Sequence, residues 1–120
     1  HSLGGAMAAS YAEQDRAELS GLLLYAAYPV NDMSGRADLE VMSVFGTNDA
    51  IATPTEIDES GRQLPPSTEF VPIDGAIHSY FGDYGPQRGD GTPGVSRNAA
   101  QREIATATLN LLDVVDERSE

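Results

Sequence analysis

Two apolar runs, GLLLYAAYP at residues 21–29 and EVMSVFG at Glu40–Gly46, most limit what this chain can fold into. Both are short, continuous and bounded by breakers. A half-buried strand would alternate, and a helix would need a longer run. These segments read as strands buried on both faces, which belong to parallel sheets covered by helices. The flanking sequence predicts those helices. Residues 3–19 are alanine-rich, with charges gathered at Glu13, Asp15, Arg16 and Glu18, and read as a helix. TPTE at 53–56 is a capping box with proline at the first helical position, and predicts a helix to about Gly61. TEFVPIDG at 68–75 is a third strand. Its Pro72 has no N–H for the ladder and moves the strand toward a sheet edge. A Gly- and Pro-rich loop follows to about residue 95. A last helix then begins near Ser96, with Ile104, Ala107, Leu111 and Val115 on one face.

This order of elements means an α/β domain with about three parallel strands flanked by helices. At 120 residues, one domain spanning 1–120 is expected. Sites in such sheets lie beyond the carboxyl ends of the strands.

Composition narrows the function classes. Nineteen acidic residues against seven arginines, with no lysine, give a net charge of −12, which repels phosphate backbones and argues against a nucleic-acid partner. No apolar run approaches the roughly 18 residues of a membrane span. Without cysteine there is neither a disulfide framework nor a thiolate metal site, and the compartment stays open. Asp83 and the GDG turn that holds Asp90 suggest a calcium loop, but its spacing is missing, so both read as solvated loop residues. The tripeptide Arg88-Gly89-Asp90 reads as chance. No metal and no cofactor are expected.

Three residues lie where chemistry is done in such a sheet. Ser2, in HSLGG, stands where a preceding strand would turn into the first helix, and HSLG fits all but the first residue of G-x-S-x-G. Taken alone, Ser2 reads first as a helix N-cap. Asp49, in GTND, follows the second strand, where a turn aspartate is commonplace. His78, in DGAIHSYFGDYG, follows the third strand, and a lone loop histidine is usually a surface residue. Tyr80, Phe81 and Tyr84, just after it, either line a site or anchor its loop. Serine, carboxylate and histidine in this chain order, each at the same end of the sheet, form the Ser-Asp-His order particular to one hydrolase fold.

HSLGG, GTNDAIATP, and GAIHSYFGDYGPQRGDG followed by SRNAAQ together resemble the C-terminal half of a bacterial α/β hydrolase, near the compact esterases and dienelactone hydrolases. The resemblance runs from His1 to about Leu112, and the stretch after His78 is its most specific part. It implies a serine hydrolase for carboxylic esters or similar acyl substrates, with Ser2 as nucleophile, Asp49 as acid and His78 as base. The backbone N–H of Leu3 would serve the oxyanion, and a second donor would come from an earlier loop outside these residues. It also implies a fragment that begins inside the nucleophile elbow, lacks the N-terminal half of its sheet and is inactive alone. Its free strand edge would pair with that missing half or with another chain. The ten residues between Pro29 and Glu40 are too few for a lid domain, so an open site and small, soluble esters or lactones are expected. The competing reading is a non-catalytic acidic α/β module for binding or assembly, with Ser2 as an N-cap.

Overall fold

The computed structural model describes residues 1–14 and 18–119. Three parallel strands form one open sheet in the order β1-β2-β3: β1 is Gly21–Tyr25, β2 is Glu40–Gly46 and β3 is Glu69–Ile73. The register pairs Gly21 with Glu40 and Tyr25 with Val44 on one side of β2, and Met42 with Glu69 and Gly46 with Ile73 on the other. β3 is an edge strand, as the missing N–H of Pro72 requires.

Among the described residues, three α-helices accompany the sheet: α1 at Ser2–Glu13, α2 at Pro54–Glu59 and α3 at Arg97–Ser119. α1 buries Gly5, Ala9 and Ala12, a row of small residues at helical spacing that lets the helix sit close to β1. Leu22, Leu24 and Val41 complete that core together with Leu39 and Leu64. α3 covers the opposite face, where Ile104, Ala107 and Leu111 pack on Met42, Val44 and Ile73. Burying a side chain such as Ile104 or Leu111 contributes about 1.5–3 kcal/mol before entropic costs. α2 starts at the anticipated capping box. The Thr53 hydroxyl accepts from Glu56 N at 3.2 Å, and a Glu56 carboxylate oxygen accepts from Thr53 N at 3.1 Å. No described helix is long and apolar enough to cross a membrane.

Several boundaries differ from the sequence expectation. α1 ends at Glu13 rather than continuing to Leu19, and Asp15 and Arg16 lie outside the described residues. β1 stops at Tyr25 because Ala26 adopts φ 49°, which turns the chain out of the ladder after Ala26 N donates to Val44 O at 2.8 Å. α2 gives way to a 3-10 turn at Ser60–Gln63. The connection from Ala26 to Leu39 contains no helix. It is held instead by Arg36, which donates to Ala12 O of α1 and grips both carboxylate oxygens of Asp38, at 3.0 and 3.2 Å.

Candidate active site

Ser2 is the first residue of α1, and its φ of 52° lies in the left-handed region that a non-glycine residue rarely adopts. The residue in the N-cap position is His1, with no side-chain cap bond. The Ser2 hydroxyl does not cap the helix either. Its oxygen lies 3.0 Å from Nε2 of His78, 76 residues away in sequence. Of the two glycines that follow, Gly4 has open space around a would-be Cβ. At Gly5 a Cβ would fall 2.4 Å from the Ala27 Cβ. Close packing of helix on loop, rather than crowding at Gly4, therefore requires the glycine here.

Asp49 stands in the turn after β2, its backbone N–H returning to Gly46 O. One carboxylate oxygen, Oδ1, accepts from Ile51 N at 2.8 Å and Ala52 N at 2.9 Å. The other, Oδ2, lies 2.8 Å from His78 Nδ1. His78 opens the 3-10 turn His78–Phe81 after β3 and is 1% exposed, while Asp49 is 3% exposed. A carboxylate in this position can only accept, so Nδ1 of His78 carries a proton and donates it to Asp49. In the neutral imidazole Nε2 is then an acceptor, and the Ser2 hydroxyl donates to it. This is the arrangement in which a hydroxyl can be deprotonated by an oriented base.

The structure thus brings Ser2, Asp49 and His78 together. Leu3 lies in the first turn of α1, whose opening N–H groups have no carbonyl within the helix. Ser2 and Leu3 border a cleft of about 450 Å³ with Ala6, Ala26, Ala27 and Ile51 in its wall. Tyr28 lines the same cleft and donates to a Glu56 carboxylate oxygen at 2.8 Å. That hydrogen bond, followed by burial, raises the Tyr28 phenol above its ordinary value. The Thr53 backbone N–H, followed by Tyr28, holds the Glu56 carboxyl below its own.

The aromatics after His78 anchor its loop. Phe81 is buried against Tyr25 and the His1 ring, with centroids 6.0 and 6.2 Å away. Tyr80 lies under the Arg97 guanidinium at 5.3 Å, and Tyr84 is hydrogen-bonded to His1 Nδ1 at 3.2 Å. His1 itself packs its ring 4.6 Å from that of His78, a neighbour with no warning in the sequence beyond adjacency to Ser2.

Asp90 departs from its reading as a solvated loop residue. Its two carboxylate oxygens accept from the backbone N–H groups of His78 and Ser79, each at 2.9 Å. Only the GDG turn hinted at this, because the contact depends on how a long loop folds back. Among the described residues, no group of three or more His, Asp or Glu side chains is gathered as metal ligands would be.

No curated protein matches the chain. The family model described as alpha/beta hydrolase family matches residues 1–103, from the turn that holds Ser2 through both loops that hold Asp49 and His78 and into α3. With that match over most of its length and an open parallel sheet flanked by helices, the chain belongs to the alpha/beta hydrolase family.

Proposed function

We propose that this chain supplies the reacting residues of a serine hydrolase for carboxylic esters. Ser2 is the nucleophile, His78 the general base and Asp49 the residue that orients the imidazole. One observation carries the reading: the unbroken hydrogen-bond chain from Asp49 through His78 to Ser2, next to an apolar cleft. In this mechanism His78 Nε2 takes the Ser2 proton as Oγ attacks the ester carbonyl carbon. The tetrahedral oxyanion faces the N–H of Leu3. Nε2 then returns the proton to the departing alcohol, leaving an acyl-enzyme on Ser2. Water, deprotonated by the same nitrogen, releases the acid. Asp49 keeps the proton on Nδ1 and stabilises the imidazolium of each step. A single oxyanion donor contributes roughly 10²–10³ in rate, which gives the scale of the Leu3 role.

The cleft wall favours an uncharged acyl group. Its described lining holds no ionised side chain, and Ala6, Ala26, Ala27, Pro29, Ile51 and Ala52 offer only apolar surface. An acyl chain bearing a carboxylate would be stripped of water there with no cation to meet it.

The test uses the complete protein with 4-nitrophenyl butyrate and a fluorophosphonate probe. Ser2→Ala and His78→Ala should each reduce turnover about 10⁴-fold or more, because such residues act as a unit. The probe should label the wild type at Ser2 and leave Ser2→Ala unlabelled. Retention of more than about a tenth of the activity by Ser2→Ala, against that unit behaviour, overturns the assignment. A wild type that neither turns over esters nor takes the probe favours the non-catalytic module.

A further inference from the structure

We infer that Asp90 is a positioning residue, whose carboxylate and surrounding turn hold His78 in register with Asp49. This rests on the proposed roles of His78 and Asp49, and it concerns a part of the molecule that the mechanism above does not use.

Asp90 Oδ1 accepts from His78 N at 2.9 Å and from Gly91 N at 2.8 Å, and Oδ2 accepts from Ser79 N at 2.9 Å. Three backbone donors thus converge on one carboxylate. Bonds to an ionised acceptor are roughly twice as strong as neutral ones, so this is a firm anchor for a short turn. The anchored amides are those of the base itself and of the residue after it. With the backbone fixed there, the imidazole has only its two side-chain torsions to adjust. They must satisfy Asp49 at one nitrogen and Ser2 at the other.

The same turn is fastened to the loop of Asp49. Asn48 Nδ2 donates to Thr92 O at 2.9 Å, and Asn48 N donates to Ala76 O at 3.0 Å. Gly91 sits so close that a Cβ there would fall 1.8 Å from Asn48 O. The turn is tight: Asp90 N donates to Gln87 O, and Gly89 takes φ 87°, a conformation suited to glycine. The turn of the acid, the turn of the base and the turn of Asp90 therefore close a ring of contacts, with Asp90 bonding directly to the base. Asp90 is absent from the cleft wall. Its loss should act on the alignment of the reacting groups, hence on kcat, and leave substrate binding alone.

The experiment compares Asp90→Asn and Asp90→Ala with Asp83→Ala in the complete protein. Asp83 is an exposed acid of the same loop and controls for removal of charge. Misplacement of a reacting group by about 1 Å costs about 10²-fold, so Asp90→Ala should lose about that factor in kcat with KM within twofold. Asp90→Asn keeps the size and one acceptor oxygen and should fall between Asp90→Ala and wild type. Asp83→Ala should match wild type. The proton on His78 Nδ1, identified by NMR through its absence in His78→Ala, should move or broaden in Asp90→Ala. That signal requires no turnover, so it tests Asp90 even if the ester reaction fails. Should Asp90→Ala not fold, Asp90→Asn carries both readouts. Wild-type kcat and an unmoved Nδ1 proton in the folded Asp90 variants overturn the inference, as does a rise in KM with kcat intact. Ser2→Ala, run alongside, separates the two readings: if it stays active, the ester mechanism fails whatever Asp90 does.

Discussion

Asp49 Oδ2 and His78 Nδ1 meet at 2.8 Å, with both side chains closed to water, although 29 residues separate them. Parallel pairing of β2 with β3 brings the two turns to the same end of the sheet. Asp49 spends its other oxygen on Ile51 N and Ala52 N, so the carboxylate cannot rotate without breaking two more bonds. Asp49→Asn should therefore keep its place and reverse the polarity toward His78. If the amide oxygen stays on the two backbone donors, its NH₂ faces Nδ1. The imidazole proton moves to Nε2, which can no longer accept from Ser2. A loss in kcat of about 10⁴-fold, with a thermal midpoint near that of wild type, is expected from that tautomer. An Asn variant with more than a tenth of wild-type turnover, measured on 4-nitrophenyl butyrate, would contradict the role given to Asp49.

The capping box of α2 ties stability to pH. Glu56 accepts from the Thr53 backbone and from Tyr28, and its carboxyl lies below the ordinary value in the folded chain. The unfolded chain then binds the proton more readily. The stabilisation is complete above the unfolded carboxylate range and is lost as pH falls through the lowered folded value. Glu56→Gln should be less stable than wild type at neutral pH, and the gap should narrow as both are acidified. Thr53→Ala, which removes the cap hydroxyl, should cost about 0.5–2 kcal/mol. Urea titrations at neutral and acidic pH measure both. An unchanged gap across that range would mean that Glu56 titrates alike in the two states.

What could be read in advance followed from local rules. β2 matches its apolar run because the run is bounded by polar residues and glycine, and α2 starts where Thr53, Pro54 and Glu56 form the box. β1 runs shorter than its apolar segment, because the left-handed turn at Ala26 falls on an alanine, a residue that gives no warning of it. That Ser2, Asp49 and His78 would meet was legible from their chain order, from the turns after β2 and β3 that hold Asp49 and His78, and from the elbow-like HSLG around Ser2. Asp90 was not, since a carboxylate capping a turn twelve residues upstream leaves no periodic or spacing signature. The difference between Gly4 and Gly5 was equally hidden: it depends on where Ala27 comes to lie.

The two margins of the sheet differ in chemistry. β3 carries Pro72 and Glu69, with Asp74 just beyond, and such residues discourage strand addition. β1, GLLLY, pairs with β2 on one side and has no described strand on the other. The 120-residue chain should therefore self-associate through β1. Sedimentation velocity should find oligomers whose fraction rises with concentration, and hydrogen exchange should find β1 amides gaining protection with them. A chain that stays monomeric at every accessible concentration would refute this.

Gly5 provides the sharpest separation between packing and chemistry. A Cβ on it would lie 2.4 Å from the Ala27 Cβ, far inside contact distance, whereas one on Gly4 meets nothing within 4 Å. Gly5→Ala must push the first turn of α1 off the loop after β1, and Ser2 moves with that turn. A displacement near 1 Å at the proposed nucleophile costs about 10²-fold in kcat. Gly4→Ala adds a methyl to an open helix position, where alanine is favoured over glycine by up to about 1 kcal/mol. It should leave turnover unchanged and raise the melting midpoint. The pair Gly5→Ala with Ala27→Gly removes the opposing methyl and should recover most of the lost rate. If Gly5→Ala and Gly4→Ala behave alike, or if the double variant recovers nothing, the contact with Ala27 is not what sets the position of Ser2.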